Sequence, residues 1–208
     1  MGTYLASVID FNQGTMTMPM AKPTVAVIVG SNRRDSLNRR LAHALVRLGA
    51  DKLDATFVRI DDLPMFNQDL EGNLPGEVVR YKAELARADG VLIVTPEHDR
   101  SIPAVLKNAV DWGARPYGKN VWAGKPGFIT GTSPGAIGTA LAQQHLRAVM
   151  TGLGMILLGG EAYITFKPDL LDAQGHIADE TTKKFLQGFL DRFAALVATL
   201  AAKEPALT

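Results

Sequence analysis

Cysteine is absent from the 208-residue sequence, which excludes structural disulfides and thiolate metal sites and fits a cytoplasmic protein. Charge of one sign is missing too. Twenty-two basic residues meet 21 acidic ones for a net charge of +1, with no basic block of several Lys or Arg, so nucleic acid is not an expected partner. No apolar run approaches the roughly 20 residues that cross a bilayer, so neither is a membrane. The first 22 residues lack a basic start and a continuous apolar core, and do not read as a secretory signal. The four histidines, His43, His98, His145 and His176, fall in different parts of the pattern and suggest no metal site. What remains is a chain 47 % hydrophobic and 21 % charged, suited to one α/β domain.

Residues 1–22 read as a flexible leader. Met16, Met18 and Met20 are alternative starts, and an arm packed on a neighbouring subunit is the functional alternative. Residues 23–203 read as the domain and 204–208 as a tail. Within the domain, five apolar bursts at 24–30, 55–60, 90–95, 127–131 and 155–158 alternate with amphipathic stretches; the weak fifth resumes at 162–166. The first, third and fourth are continuous apolar runs, the pattern of strands covered on both faces. Leu37, Leu41, Leu45 and Leu48 form one helical stripe, and Val78, Val79, Leu85 and Ala86 a second. Ile102, Val105, Leu106, Ala109, Val110 and Gly113 form a third, with Ser101 as N-cap and Pro103 in the first turn. A fourth helix is expected from about Gly135 to Leu153, and a last one carries Phe185, Phe189, Phe193, Val197 and Leu200. Alternating strands and helices imply a doubly wound, five-stranded parallel sheet with helices on both faces.

Ligands of such a sheet sit outside the carboxyl ends of the strands, so three loops matter. The first strand ends at Gly30 and is followed by Ser31, Asn32, Arg33, Arg34, Asp35, Ser36, Leu37 and Asn38. Free N–H groups and the positive end of a helix dipole, beside hydroxyls and a guanidinium, make a phosphate cradle. The loop lacks the Gly-Lys-Ser/Thr ending of a triphosphate-hydrolysing P-loop and the Gly-x-Gly-x-x-Gly of a dinucleotide fold. The loop after strand three runs from Thr95 through Pro96, Glu97, His98, Asp99 and Arg100 to Ser101. Glu97 has the chemistry of a general base without an evident nucleophile to serve, and His98 reads as a partly exposed loop residue. The loop after strand four, Thr132 to Gly138, carries glycines that let backbone approach a flat ligand. Residues 119–125, with Trp122, are a candidate rim. Trp112 reads as core or subunit contact.

Gly30-Ser31-x-Arg33-x-x-Ser36-x-Asn38, then Thr95-Pro96-Glu97-x-x-Arg100-Ser101-Ile102-Pro103-x-x-Leu106-Lys107-Asn108-Ala109-x-Asp111-Trp112, then Ser133-x-Gly135-x-x-Gly138 resemble the NADPH-dependent FMN reductase family over roughly 24–166. The resemblance implies a flavodoxin-like fold holding FMN. The phosphate would lie on Ser31, Arg33, Ser36, Leu37 and Asn38. The ring would lie between Pro96, Glu97, His98 and Asp99 on one side and Ser133 and Gly135 on the other. It further implies a homodimer or homotetramer, with the helix ending at Asp111-Trp112 near the contact, and no protein catalytic residue. The implied activity passes a hydride from NADPH or NADH through FMN to quinones, azo compounds, flavins or oxyanions such as chromate. A flavodoxin-like electron carrier without its own NAD(P)H oxidation is the alternative, weakened by the near-neutral charge. A cofactor-free signalling domain leaves Arg33 without a purpose. Where this family commonly has Tyr-Asn, the chain has His98-Asp99, so an effect on the flavin potential is expected there.

Overall fold

The computed structural model describes residues 21–201; the tail at 204–208 and all but the last two residues of the expected leader lie outside that range. Strands β1 (Thr24–Val29), β2 (Asp54–Val58), β3 (Gly90–Val94), β4 (Pro126–Ser133), β5 (Ile156–Leu157) and β6 (Tyr163–Thr165) alternate with α1 (Leu37–Leu48), α2 (Gly76–Arg87), α3 (Ala104–Ala114) and α4 (Ala140–Gly152) before α5 (Glu180–Ala201) closes the chain. The sheet order is β2-β1-β3-β4-β5, with β6 also paired to β4, and every pairing is parallel. That is the flavodoxin-like doubly wound order.

Alternation along the central strands feeds two cores. Val25, Val27 and Val29 of β1 pack toward α1 and α5, whereas Ala26 and Ile28 pack toward α2, α3 and α4. All five are buried, as are all residues of β3, which is why these strands have no polar face. The edge strand β2 is buried only at Val58 and in part at Ala55.

The expected five strands become six because the fifth is split. The start of β4 pairs with β5 through Pro126↔Ile156 and Gly127↔Leu157, and its end pairs with β6 through Gly131↔Tyr163, Thr132↔Ile164 and Ser133↔Thr165. Gly159 and Gly160 interrupt the run, and glycine weakens a strand interior. The Thr130 hydroxyl, donating to Ala162 O at 2.8 Å, ties the gap back to β4.

Three helix readings need correction. The N-cap of α3 is Pro103, without a side-chain cap, and not Ser101. Ile102 precedes a proline and is kept out of helical backbone geometry, so the helix cannot begin at Ser101. Helix α4 starts at Ala140 rather than near Gly135, because Gly138 has φ +59, outside the right-handed helical region. On α2 the buried stripe is Val78, Tyr81 and Leu85; Val79 and Ala86 face solvent. Trp112 and Trp122 are both fully buried. Residues 119–125 are therefore no rim of the site. They lead into the amino end of β4, where the Lys125 ammonium donates to Ala88 O at 2.6 Å, at the sheet edge opposite the three loops.

Candidate functional site

The loop after β1 presents its backbone outward. Gly30 N donates to Val94 O at 2.9 Å and Ser31 N to Val29 O at 2.8 Å, which turns the chain away from the sheet. A Cβ on Gly30 would stand 2.7 Å from Thr95 Oγ1 and 2.9 Å from Leu106, so glycine is required for this close approach. Ser36 caps α1, its hydroxyl accepting from Arg39 N at 3.3 Å. The N–H groups of Ser36, Leu37 and Asn38 have no acceptor among the described residues. Arg33 is exposed beside them, its own N–H on Ser31 Oγ at 3.3 Å. Unspent donors at a helix N-terminus, with a guanidinium alongside, suit a phosphate monoester.

Asn38 does something the spacing did not show. Its carboxamide is 2 % exposed; Nδ2 donates to Thr132 O at 2.9 Å and Oδ1 accepts from Thr132 N at 2.8 Å. The residue fastens the first turn of α1 to the end of β4. Loop one and loop four are thereby held at a fixed separation.

Between them, residues 98–101 form a tight turn closed by His98 N to Ser101 O at 3.1 Å and Ser101 N to His98 O at 2.9 Å. Asp99 and Arg100 at its tip have φ +47 and +64, the pair of left-handed conformations that a type I′ turn demands. Asp accepts this more readily than Arg. The Glu97 carboxylate is no general base in waiting. Its Oε2 accepts from Leu141 N at 3.0 Å and Ala142 N at 3.2 Å, the first-turn donors of α4, and its Oε1 faces Arg100 at 3.4 Å. Thr139, the N-cap of α4, makes no side-chain cap, so Glu97 supplies it from across the site, where a helix N-terminus favours negative charge. Ser101 Oγ meets His145 Nδ1 of α4 at 3.0 Å. The sequence reading missed this histidine. It lies one helical turn after Leu141, on the face that meets Glu97.

The third wall is shaped by its own hydroxyls. Ser133 Oγ donates to Gly138 O and accepts from Gly135 N at 3.3 Å, while a Cβ on Gly131 would collide with the Thr95 carbonyl and the Thr139 hydroxyl. Gly135 is exposed. The long motif on α3 is mostly scaffold. Asn108 Oδ1 accepts from Phe66 N at 2.7 Å, Asn108 Nδ2 donates to Pro64 O at 2.9 Å, and Trp112 Nε1 donates to the same oxygen at 2.7 Å. These bonds pin the loop after β2 against α3. Trp112 belongs to the chain's own core and has no surface for a subunit contact.

The fold thus brings Ser31, Arg33, Ser36, Leu37, Pro96, Glu97, His98, Asp99, Ser133 and Gly135 to one sheet edge, with Asn38 and Glu97 acting as struts. The NADPH-dependent FMN reductase family matches residues 23–169. A 2-hydroxy-1,4-benzoquinone reductase of a Burkholderia species is 51 % identical over 174 residues, covering 83 % of this chain and 95 % of the relative. A quinone reductase of Pseudomonas putida is 46 % identical over 176 residues, covering 84 % and 94 %. Among solved structures, the flavoenzyme NAD(P)H:(acceptor) oxidoreductase FerB of Paracoccus denitrificans superposes with a TM-score of 0.82 at 45 % identity, covering 85 % of this chain and 98 % of its own.

Proposed function

The chain belongs to the NADPH-dependent FMN reductase family, and from that premise we propose that it is a quinone reductase whose three-loop edge holds FMN. Being an NAD(P)H-dependent flavin oxidoreductase comes with the family; the acceptor and the residue roles are this proposal. The observation that carries it is the group of unspent N–H donors at Ser36, Leu37 and Asn38 beside the exposed Arg33. This is a binding surface for the flavin phosphate that needs no rearrangement. The identities of 51 % and 46 % with quinone reductases favour a quinone over the azo, flavin and oxyanion acceptors.

Bound FMN supplies two-electron transfer between the pyridine nucleotide and the acceptor. The protein's part is position. Arg33 and the α1 N-terminus hold the phosphate. The backbone of Pro96 to Asp99 borders one side of the ring, and Ser133 and Gly135 border the other. Glu97 sets the distance between these walls through α4. We place the protein in the cytoplasm as a homodimer or homotetramer; exposed Ile137 and Leu141 beside the site are apolar surface for such a contact.

Arg33→Ala tests the site. Loss of a charged hydrogen bond to phosphate is worth about 1.5–3 kcal/mol, so FMN should bind roughly ten to a hundred times more weakly by fluorescence titration, with folding stability preserved. Anaerobic NADPH should bleach the yellow wild-type protein, and a quinone should restore its colour. Unchanged FMN affinity in the variant removes the proposed cradle, and a failure to bleach removes the proposed activity.

A further inference from the structure

Beside the phosphate cradle lies a second concavity. It is a cavity of about 370 Å³ between the carboxyl ends of β1 and β2, bordered by Ser31, Arg39, His43, Phe57, Arg59 and Asp61. Its floor is apolar, formed by Val29, Val58 and Ile60. The His43 and Phe57 rings meet at its wall with centroids 4.3 Å apart. Phe57 is 36 % exposed on an edge strand, a partly uncovered aromatic platform.

The basic groups around this cavity outnumber its one lining carboxylate, Asp61, whose pKa is lowered by its bond to Arg59 and also by the charge of Arg39. Arg39 and Arg47 have no carboxylate ion pair among the described residues. Both press on His43, whose pKa is held below its ordinary value first by burial and then by those two guanidiniums. Arg59 is paired with Asp61 at 2.8 Å and lies 3.8 Å from Asp62. The rim therefore offers one unpaired guanidinium, a second that is partly neutralised, and a carboxylate able to accept from a ribose hydroxyl or an exocyclic amine. The volume far exceeds what a bare phosphate needs, and an apolar floor with aromatic walls suits a flat base.

We propose that this cavity is the subsite for the 2′-phosphorylated adenosine end of NADPH. The base lies against Phe57 and His43, and the 2′-phosphate lies on Arg39. This rests on the reading of the chain as an NAD(P)H-oxidising flavoprotein and deepens it. Ser31 is shared by the cavity and the flavin cradle, and the three loops follow in the order β1, β3, β4 along one edge. A dinucleotide anchored at β2 and β1 runs along that edge toward the turn at residues 98–101. A phosphorylated adenosine also forms one end of FAD, so the probes must separate the two sources.

The experiment titrates the FMN-loaded protein calorimetrically with 2′,5′-ADP, 5′-AMP and FAD, for wild type and Arg39→Gln. Arg39 is exposed on a helix, and glutamine preserves helix propensity. The proposal expects 2′,5′-ADP to bind wild type about tenfold more tightly than 5′-AMP. It expects that preference to disappear in Arg39→Gln, and the variant's KM for NADPH to rise about tenfold more than its KM for NADH. The His43 imidazole resonances should shift on binding, with the ring's pKa rising as the anion arrives. Equal affinity of wild type and variant for 2′,5′-ADP overturns the proposal. So does displacement of FMN by 2′,5′-ADP, and so does tighter binding of FAD, which would assign the cavity to a flavin's adenosine. Failure of this subsite leaves NADPH still bleaching the flavin; failure of the underlying activity does not.

Discussion

At the scale of single residues, Asn38 and Glu97 act as struts. Both sit in motif positions that the resemblance assigns to the cofactor, yet both spend their side chains on backbone. Asn38→Ala would leave the buried N–H and C=O of Thr132 without partners, at about 1–3 kcal/mol each. Urea denaturation should show a loss of about 2–4 kcal/mol, far more than for Arg33→Ala, with FMN weakened as a consequence. An unchanged midpoint would return Asn38 to direct phosphate binding. Asp99, at the tip of the turn, carries the opposite expectation, a change in chemistry without a change in stability. With the flavin ring beside this turn, as proposed, its carboxylate would disfavour negative charge on the reduced cofactor, so Asp99→Asn should raise the two-electron potential in a spectroelectrochemical titration. A fall in potential, or none, would separate Asp99 from the ring.

Among the elements, α4 connects the walls of the site. Its amino end is capped by Glu97 from the loop after β3, its second turn meets Ser101 through His145, and its side chains reach the gap between β5 and β6. Arg147 donates to Leu158 O at 3.0 Å and Gly160 O at 2.7 Å. Glu97→Ala should therefore cost about 1 kcal/mol of helix capping and speed amide exchange at Leu141 and Ala142. Glu97→Gln, which keeps an acceptor oxygen, should restore most of it. If exchange at α4 is the same in both variants, the strut is not Glu97. The boundaries of this helix and of α3 were the part of the secondary structure least legible in the sequence. A serine two residues before a proline looks like a cap, and a glycine-rich start looks like a helix entry. The turn at 98–101 claims Ser101's backbone, and the left-handed Gly138 delays α4.

For the whole molecule, acid should act in two stages of the same sign. His43 has a lowered pKa, so folding resists its protonation. Stability is complete above its ordinary value of 6.5 and declines as pH falls below it. Asp179, bonded to Thr182 at the start of α5, and Asp191, bonded to Lys52, both have lowered pKa values. Their contribution is present above 3.8 and lost as pH falls further. Melting temperature should dip slightly as pH falls below 6.5 and drop more steeply below about 4. A maximum near pH 5 would contradict these signs.

The order of strands and helices, the parallel sheet, and the edge at which chemistry occurs were determined by the sequence alone. Apolar continuity marks strands buried on both faces, and a parallel sheet can present its loops for function only at its carboxyl ends. The nature of each side chain at that edge was decided by tertiary structure. A carboxamide at position 38 suits a phosphate and a buried backbone pair equally well, and only the approach of β4 to α1 selects the second. Trp122, in a short segment between Lys119 and Lys125, is drawn under Gly113 into the core, while Arg39 and Phe57, remote in sequence, come to face one cavity. Periodicity records which face of an element is buried; it does not record which element covers it.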